Sequence, residues 1–113
     1  MILGKLIFYF LGIFMVLLVI NGCSGQGKYD DFAQCLTEKG VKMYGTEWCS
    51  HCQNQKKAFG KSFGYVDFVD CDVDKNECLA AGVTSYPTWR IDGTNYRGEQ
   101  HFPRLAQLSG CST

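Results

Sequence analysis

VKMYGTEWCSHCQNQKKAFG, residues Val41 to Gly60, carries the features on which the fold turns. Val41–Tyr44 reads as a short buried strand. Gly45-Thr46-Glu47-Trp48 turns out of it, and Cys49-Ser50-His51-Cys52 follows directly. Gln53–Phe59 then holds good helix formers and stops at Gly60. A Cys-x-x-Cys pair between a strand and a helix puts its first cysteine at the helix N-terminus. There, unpaired backbone N–H groups and the macrodipole favour an anion, so a thiolate is stabilised. The second cysteine lies about one turn further in, close enough to attack a mixed disulfide formed on the first. Cys49 is therefore expected as the nucleophile and Cys52 as the resolving thiol. Between them, His51 can donate a hydrogen bond to the Cys49 thiolate, and a positive charge when protonated. Stabilising the reduced form in this way makes the disulfide a stronger oxidant.

Working outward, Tyr29–Lys39 places Phe32, Cys35 and Leu36 at helical spacing, with Asp30 and Asp31 near its start and Gly40 at its end. Tyr65–Val69 is β-branched and aromatic, hence a strand. Glu77–Ala81 suits a short helix closed by Gly82. Thr88–Ile91 and Thr94–Arg97 flank Asp92-Gly93, a two-residue hairpin loop in which both positions need positive φ. Pro103–Leu108 opens with a proline suited to a first helical turn. The expected order is helix, strand, helix, strand, helix, strand, strand, helix. Strand–helix–strand implies a right-handed parallel crossover, and the hairpin adds antiparallel strands. The fold class is α/β, a small mixed sheet covered by helices.

The N-terminus differs in character. Met1–Ile20 holds one charge, Lys5, followed by the apolar run Leu6–Ile20. That run has signal-peptide length rather than the roughly 20 residues of a spanning helix. Ile20-Asn21-Gly22-Cys23 resembles a bacterial lipobox, in which the cysteine receives lipid. Residues 1–22 are expected to be a lipoprotein-type signal peptide or a membrane anchor. Residues 23–28 read as a tether and 29–113 as the domain. Either N-terminal reading predicts an extracytoplasmic, membrane-tethered protein, in the periplasm or at the cell surface.

Seven cysteines in 113 residues is a high count, and it points to an oxidising compartment or to metal. If Cys23 carries lipid, an even set remains: Cys35, Cys49, Cys52, Cys71, Cys78 and Cys111. Their pairing is open from sequence alone. A zinc site would usually need a second Cys-x-x-Cys, and there is none. Formal charge is zero with both signs interspersed, and no basic block argues for nucleic acid. His101 reads as an exposed loop residue, and Trp89 as packing.

Trp48-Cys49-Ser50-His51-Cys52, with Tyr86-Pro87-Thr88 before a strand, resembles the thioredoxin superfamily. The resemblance implies a thioredoxin-like fold with a cis proline, Pro87, facing the redox pair. It also implies a Tyr86 backbone free to pair with an extended substrate. Trp48, next to the pair, reads either as packing or as lining the same substrate surface. A fuller run of matches is Met43-Tyr44-Gly45, Gln55-Lys56, Phe59-Gly60, Cys71-Asp72, Cys78, Ala80-Ala81-Gly82, Tyr86-Pro87-Thr88-Trp89 and Leu108-Ser109-Gly110. It is similar to the thioredoxin-like domain fused to bacterial homologues of vitamin K epoxide reductase. That resemblance implies disulfide exchange with protein thiols and disulfides, and a quinone-linked membrane oxidoreductase of that type as a separate partner. Cytosolic thioredoxins have a buried acid about where Met43 stands, so proton transfer at Cys52 needs another route.

The expected activity is thiol–disulfide exchange without cofactor or metal. The alternative is a non-catalytic module holding copper or a protein in the same groove; a proline facing the pair would leave a metal ligand little room. Within such a fold, Cys71 ends a strand and Cys78 starts the next short helix, so structural disulfides Cys71–Cys78 and, by elimination, Cys35–Cys111 are expected. The competing expectation is a relay role for Cys71 and Cys78.

Overall fold

Lys42–Gly45 forms β1, an inner strand of a four-stranded sheet. The computed structural model describes residues 3–9 and 25–113 of the chain. Residues 3–9 are helical, and among the described residues no helix is long and apolar enough to cross a membrane. Most of the expected signal or anchor segment, and Cys23, the position expected to carry lipid, lie outside the described residues.

The domain runs α1 (Asp30–Glu38), β1, α2 (Ser50–Phe59), a 3₁₀ turn (Gly60–Tyr65), β2 (Asp67–Asp70), α3 (Lys75–Ala80), β3 (Thr88–Ile91), β4 (Thr94–Arg97) and α4 (Phe102–Ser109). The sheet order is β2-β1-β3-β4. β1 pairs parallel with β2 through Met43↔Phe68 and antiparallel with β3 through Met43↔Trp89. β3 and β4 form the antiparallel hairpin, with Asp92 at φ +49° and Gly93 at φ +75° in its loop. This is the mixed-sheet, thioredoxin-like topology.

Met43 and Tyr44 bury both faces of β1, as expected of an inner strand. Met43 points into the larger core with Phe32, Leu36, Phe59, Trp89, Ile91 and Leu105. Tyr44 points into a smaller core with Val69, Cys71 and Cys78. Aromatic rings dominate the larger core. Phe59 lies 4.6 Å from Phe102 and 6.0 Å from Phe32, centroid to centroid. Two disulfides clamp the domain. Cys35–Cys111 joins α1 to the chain just after α4, and Cys71–Cys78 joins the end of β2 to α3.

Beyond shifts of a single residue, three boundaries depart from the sequence expectation. The helix at Ser50 continues past Gly60 as a 3₁₀ turn to Tyr65, so β2 starts at Asp67 rather than Tyr65. Phe63 packs there against Phe59 and Phe68, and Ser62 Oγ accepts the Tyr29 N–H at 2.8 Å. These tertiary contacts override the β propensity of Tyr65. The helix expected at Glu77–Ala81 begins earlier, at Lys75. The segment read as a tether is held from Gly27 onward, whose N–H donates to Asp30 Oδ2 at 2.9 Å.

Candidate active site

Cys49 caps α2. Its backbone is extended (φ −75°, ψ 119°), and its Sγ accepts the backbone N–H of Cys52 at 3.2 Å. The cap satisfies one of the orphan donors of the first turn with a sulfur instead of the usual oxygen. Cys49 is 8% exposed and Cys52 is fully buried. Among the described residues these are the two cysteines outside a disulfide. Burial pushes the Cys52 thiol up to about 12, and its hydrogen bond with Cys49 acts in the same direction. A backbone hydrogen bond from Thr46 and the charge of Lys56 oppose the rise. Cys52 sits in the same apolar cluster as Met43. No acid occupies the Met43 position to take the Cys52 proton.

Gly45, at the end of β1, makes room for that sulfur. A Cβ at position 45 would lie 2.7 Å from Cys52 Sγ and 3.2 Å from Phe68 Cε2. Only glycine permits this approach without displacement of strand or helix.

Around the pair, Trp48 is 71% exposed, and its Nε1 donates to Asp72 Oδ2 at 2.8 Å. Its ring meets Tyr86 edge-on at 6.1 Å, which brings the Tyr86–Pro87 loop beside the Trp48–Cys49 turn. The Tyr86–Pro87 peptide is cis, and Pro87 is buried. Beyond Tyr86, a cavity of about 210 Å³ continues the surface past Asp72, Leu79 and Val83.

His51 Nδ1 is 2.7 Å from Glu99 Oε2, at the outer edge of the site. On the opposite side, Lys56 Nζ bridges both carboxylate oxygens of Glu47 at 3.1 Å and lies over the Phe68 ring at 4.1 Å. Gln55, buried in α2, accepts from Trp89 Nε1 (3.1 Å) and Gln100 N–H (2.7 Å) and donates to the Gln100 carbonyl (3.1 Å). Sequence reasoning did not single out Asp72, Glu99 or Gln55 as site residues. Their partners lie 24 to 48 residues away, beyond any local pattern. Gln55 had one signal, an amide among apolar helix positions. His101 is exposed and stands just before the first turn of α4, with no side-chain hydrogen bond to it. Trp89 is fully buried. Among the described residues, no group of three or more His, Cys, Asp or Glu is gathered as a metal site would require.

The arrangement is a thioredoxin-like fold: a mixed sheet, a Cys-x-x-Cys pair capping a helix, and a cis-proline loop beside it. No protein-family profile matches the chain. It is 35% identical over 89 residues to thiol-disulfide oxidoreductase LTO1 of Arabidopsis thaliana, a match covering 71% of this chain. The chain spans 24% of that protein's length. Among solved structures it is similar to Fasciola hepatica thioredoxin, at 23% identity and a TM-score of 0.47, covering 72% of this chain and 91% of that one. It is also similar to the oxidised thioredoxin of Plasmodium falciparum, at 19% identity and a TM-score of 0.41, covering 70% and 86%.

Proposed function

We propose that this protein catalyses thiol–disulfide exchange on protein substrates, with Cys49 as nucleophile and Cys52 as resolving thiol. One observation carries the reading. Four of the domain's cysteines are locked in disulfides, while the helix-capping pair is left as a dithiol. The name of the Arabidopsis relative supports the same chemistry.

In the reducing direction, the Cys49 thiolate attacks one sulfur of a substrate disulfide. The substrate S–S bond breaks as the Cys49–S bond forms, and the expelled sulfur takes a proton. Cys52 then loses its proton and attacks Cys49 Sγ, which releases the second substrate thiolate and leaves Cys49–Cys52 oxidised. Two electrons and two protons pass to the substrate. The oxidising direction is the same path reversed. Burial keeps Cys52 protonated until the mixed disulfide forms, so the order of attack is built in. Trp48, Tyr86 and the cis-proline loop form the surface that receives the substrate strand, by main-chain pairing at Tyr86. His51 stabilises the Cys49 thiolate.

The protein acts outside the cytoplasm, held to the membrane through Cys23 lipid or an N-terminal anchor. Its electron-exchange partner is a quinone-linked membrane oxidoreductase of the vitamin K epoxide reductase type. Support comes from the apolar N-terminus, the cysteine usage and the motif resemblance described above.

Equilibration in glutathione buffers tests the central claim. Cys49 and Cys52 should cycle as a two-electron couple while the other two disulfides persist. Cys52→Ser should accumulate mixed disulfides through Cys49, and Cys49→Ser should accumulate none. A Cys52→Ser protein that traps no substrate from its own compartment would sink the reading.

A further inference from the structure

We propose that Glu99 is a positioning residue that fixes the tautomer of His51, and that Gln55 is the clamp that delivers it. The proposal rests on the reading of Cys49–Cys52 as the exchange pair.

The His51–Glu99 contact joins positions 48 residues apart, at 2.7 Å. Both side chains are partly exposed, so the contact contributes little to stability. What sets it apart is its support. Glu99 lies in the short loop between β4 and α4, and both neighbouring peptides are tied to the site. Gly98 N–H donates to the Pro87 carbonyl at 2.7 Å. Gln100 is held through both its N–H and its carbonyl by the Gln55 side chain. Gln55 is 2% exposed and lies four residues beyond His51 on α2, so the two project from one face of the helix. The redox helix thus grips the loop with one residue and receives its carboxylate with another.

An ionised carboxylate only accepts hydrogen bonds. Nδ1 of His51 must therefore carry a proton, in the neutral ring as in the cation. That leaves Nε2 as the nitrogen that exchanges protons. During exchange, Nε2 takes the proton from the Cys49 thiol, and the thiolate attacks the substrate disulfide. The leaving sulfur departs with the electron pair of the broken S–S bond and takes the proton back from Nε2. Without Glu99 the ring is free to place its proton on Nε2, where it cannot accept.

The test is ¹⁵N NMR of the His51 ring in the reduced chain, at a pH where the ring is neutral, with exchange kinetics on the same samples. The wild type should show the Nδ1–H tautomer. Glu99→Ala should move the ring toward Nε2–H and slow exchange with glutathione disulfide roughly tenfold, less than the hundredfold or more that a positioned acid–base group supplies. Glu99→Gln retains an acceptor oxygen and should keep the Nδ1–H tautomer. In a His51→Ala background, Glu99→Ala should change nothing further. Gln55→Leu should loosen the tautomer preference; if that variant does not fold, the Glu99 series decides alone. A wild-type ring in the Nε2–H form, or a tautomer unmoved in Glu99→Ala, overturns the proposal while leaving the exchange reading intact. Absence of exchange by the wild type itself overturns both.

Discussion

At the scale of single residues, the two sulfurs of the pair are neighbours in sequence and opposites in environment. Cys49 caps the helix at the rim, and Cys52 lies in the core beside Met43. The cost of burying a Cys52 thiolate has a consequence for pH dependence. The folded, reduced protein keeps this proton until about pH 12, whereas the unfolded chain releases it near the ordinary value of 9.0. Above pH 9 the unfolded state therefore binds fewer protons than the native state, and stability falls as pH rises toward 12. Urea denaturation of the reduced protein between pH 8 and about 11 should show this loss, and Cys52→Ser should show a shallower one. Cys49, Cys52 and their place at a helix start were legible from the spacing of one motif. Glu99 was not, because its link to His51 exists only once β4 and α4 bring the loop to the redox helix.

At the scale of elements, α2 does more than present its first turn. Gln55 ties the helix to β3 through Trp89 and to the loop before α4 through Gln100. Replacing it with Ala strands the Trp89 indole N–H and the backbone N–H and carbonyl of Gln100. The expected loss is about 2–4 kcal/mol in chemical denaturation, since buried groups left unpaired cost about 1–3 kcal/mol each and the loop can rehydrate in part. Elements carried by local chemistry were read closely from sequence. The Asp92-Gly93 hairpin keeps its bounds because its turn residues and strand pattern agree. β2 shifted by two residues because the packing of Phe63 and the Ser62–Tyr29 hydrogen bond are not local.

At the scale of the whole domain, the two disulfides differ in reach. Cys35–Cys111 spans 76 residues and fastens the first helix to the end of the last, while Cys71–Cys78 spans 7 within the smaller core. In the chain-entropy view the long loop is worth about 4 kcal/mol and the short one about 2–3. Paired serine substitutions, Cys35→Ser/Cys111→Ser against Cys71→Ser/Cys78→Ser, should reproduce that ranking in thermal unfolding. The short bridge has a second effect. Asp72, next to Cys71, holds the Trp48 indole, so the short-bridge variant should also alter Trp48 fluorescence while the long-bridge variant leaves it unchanged.

The missing side chain at Gly45 bears on how the site withstands damage. A Cβ at position 45 would stand 2.7 Å from Cys52 Sγ, inside contact distance, so the end of β1 lies directly against the sulfur. Close packing of the strand on that side of the buried sulfur disfavours the added oxygen atoms of sulfinic and sulfonic acids. Peroxide arriving at the site meets Cys49 at the rim, and a sulfenic acid formed there has a thiol within reach to condense with and return as a disulfide. Burial of one sulfur beside the strand, with the other at the helix start, thus steers oxidative injury toward the lesion that the proposed exchange reaction repairs.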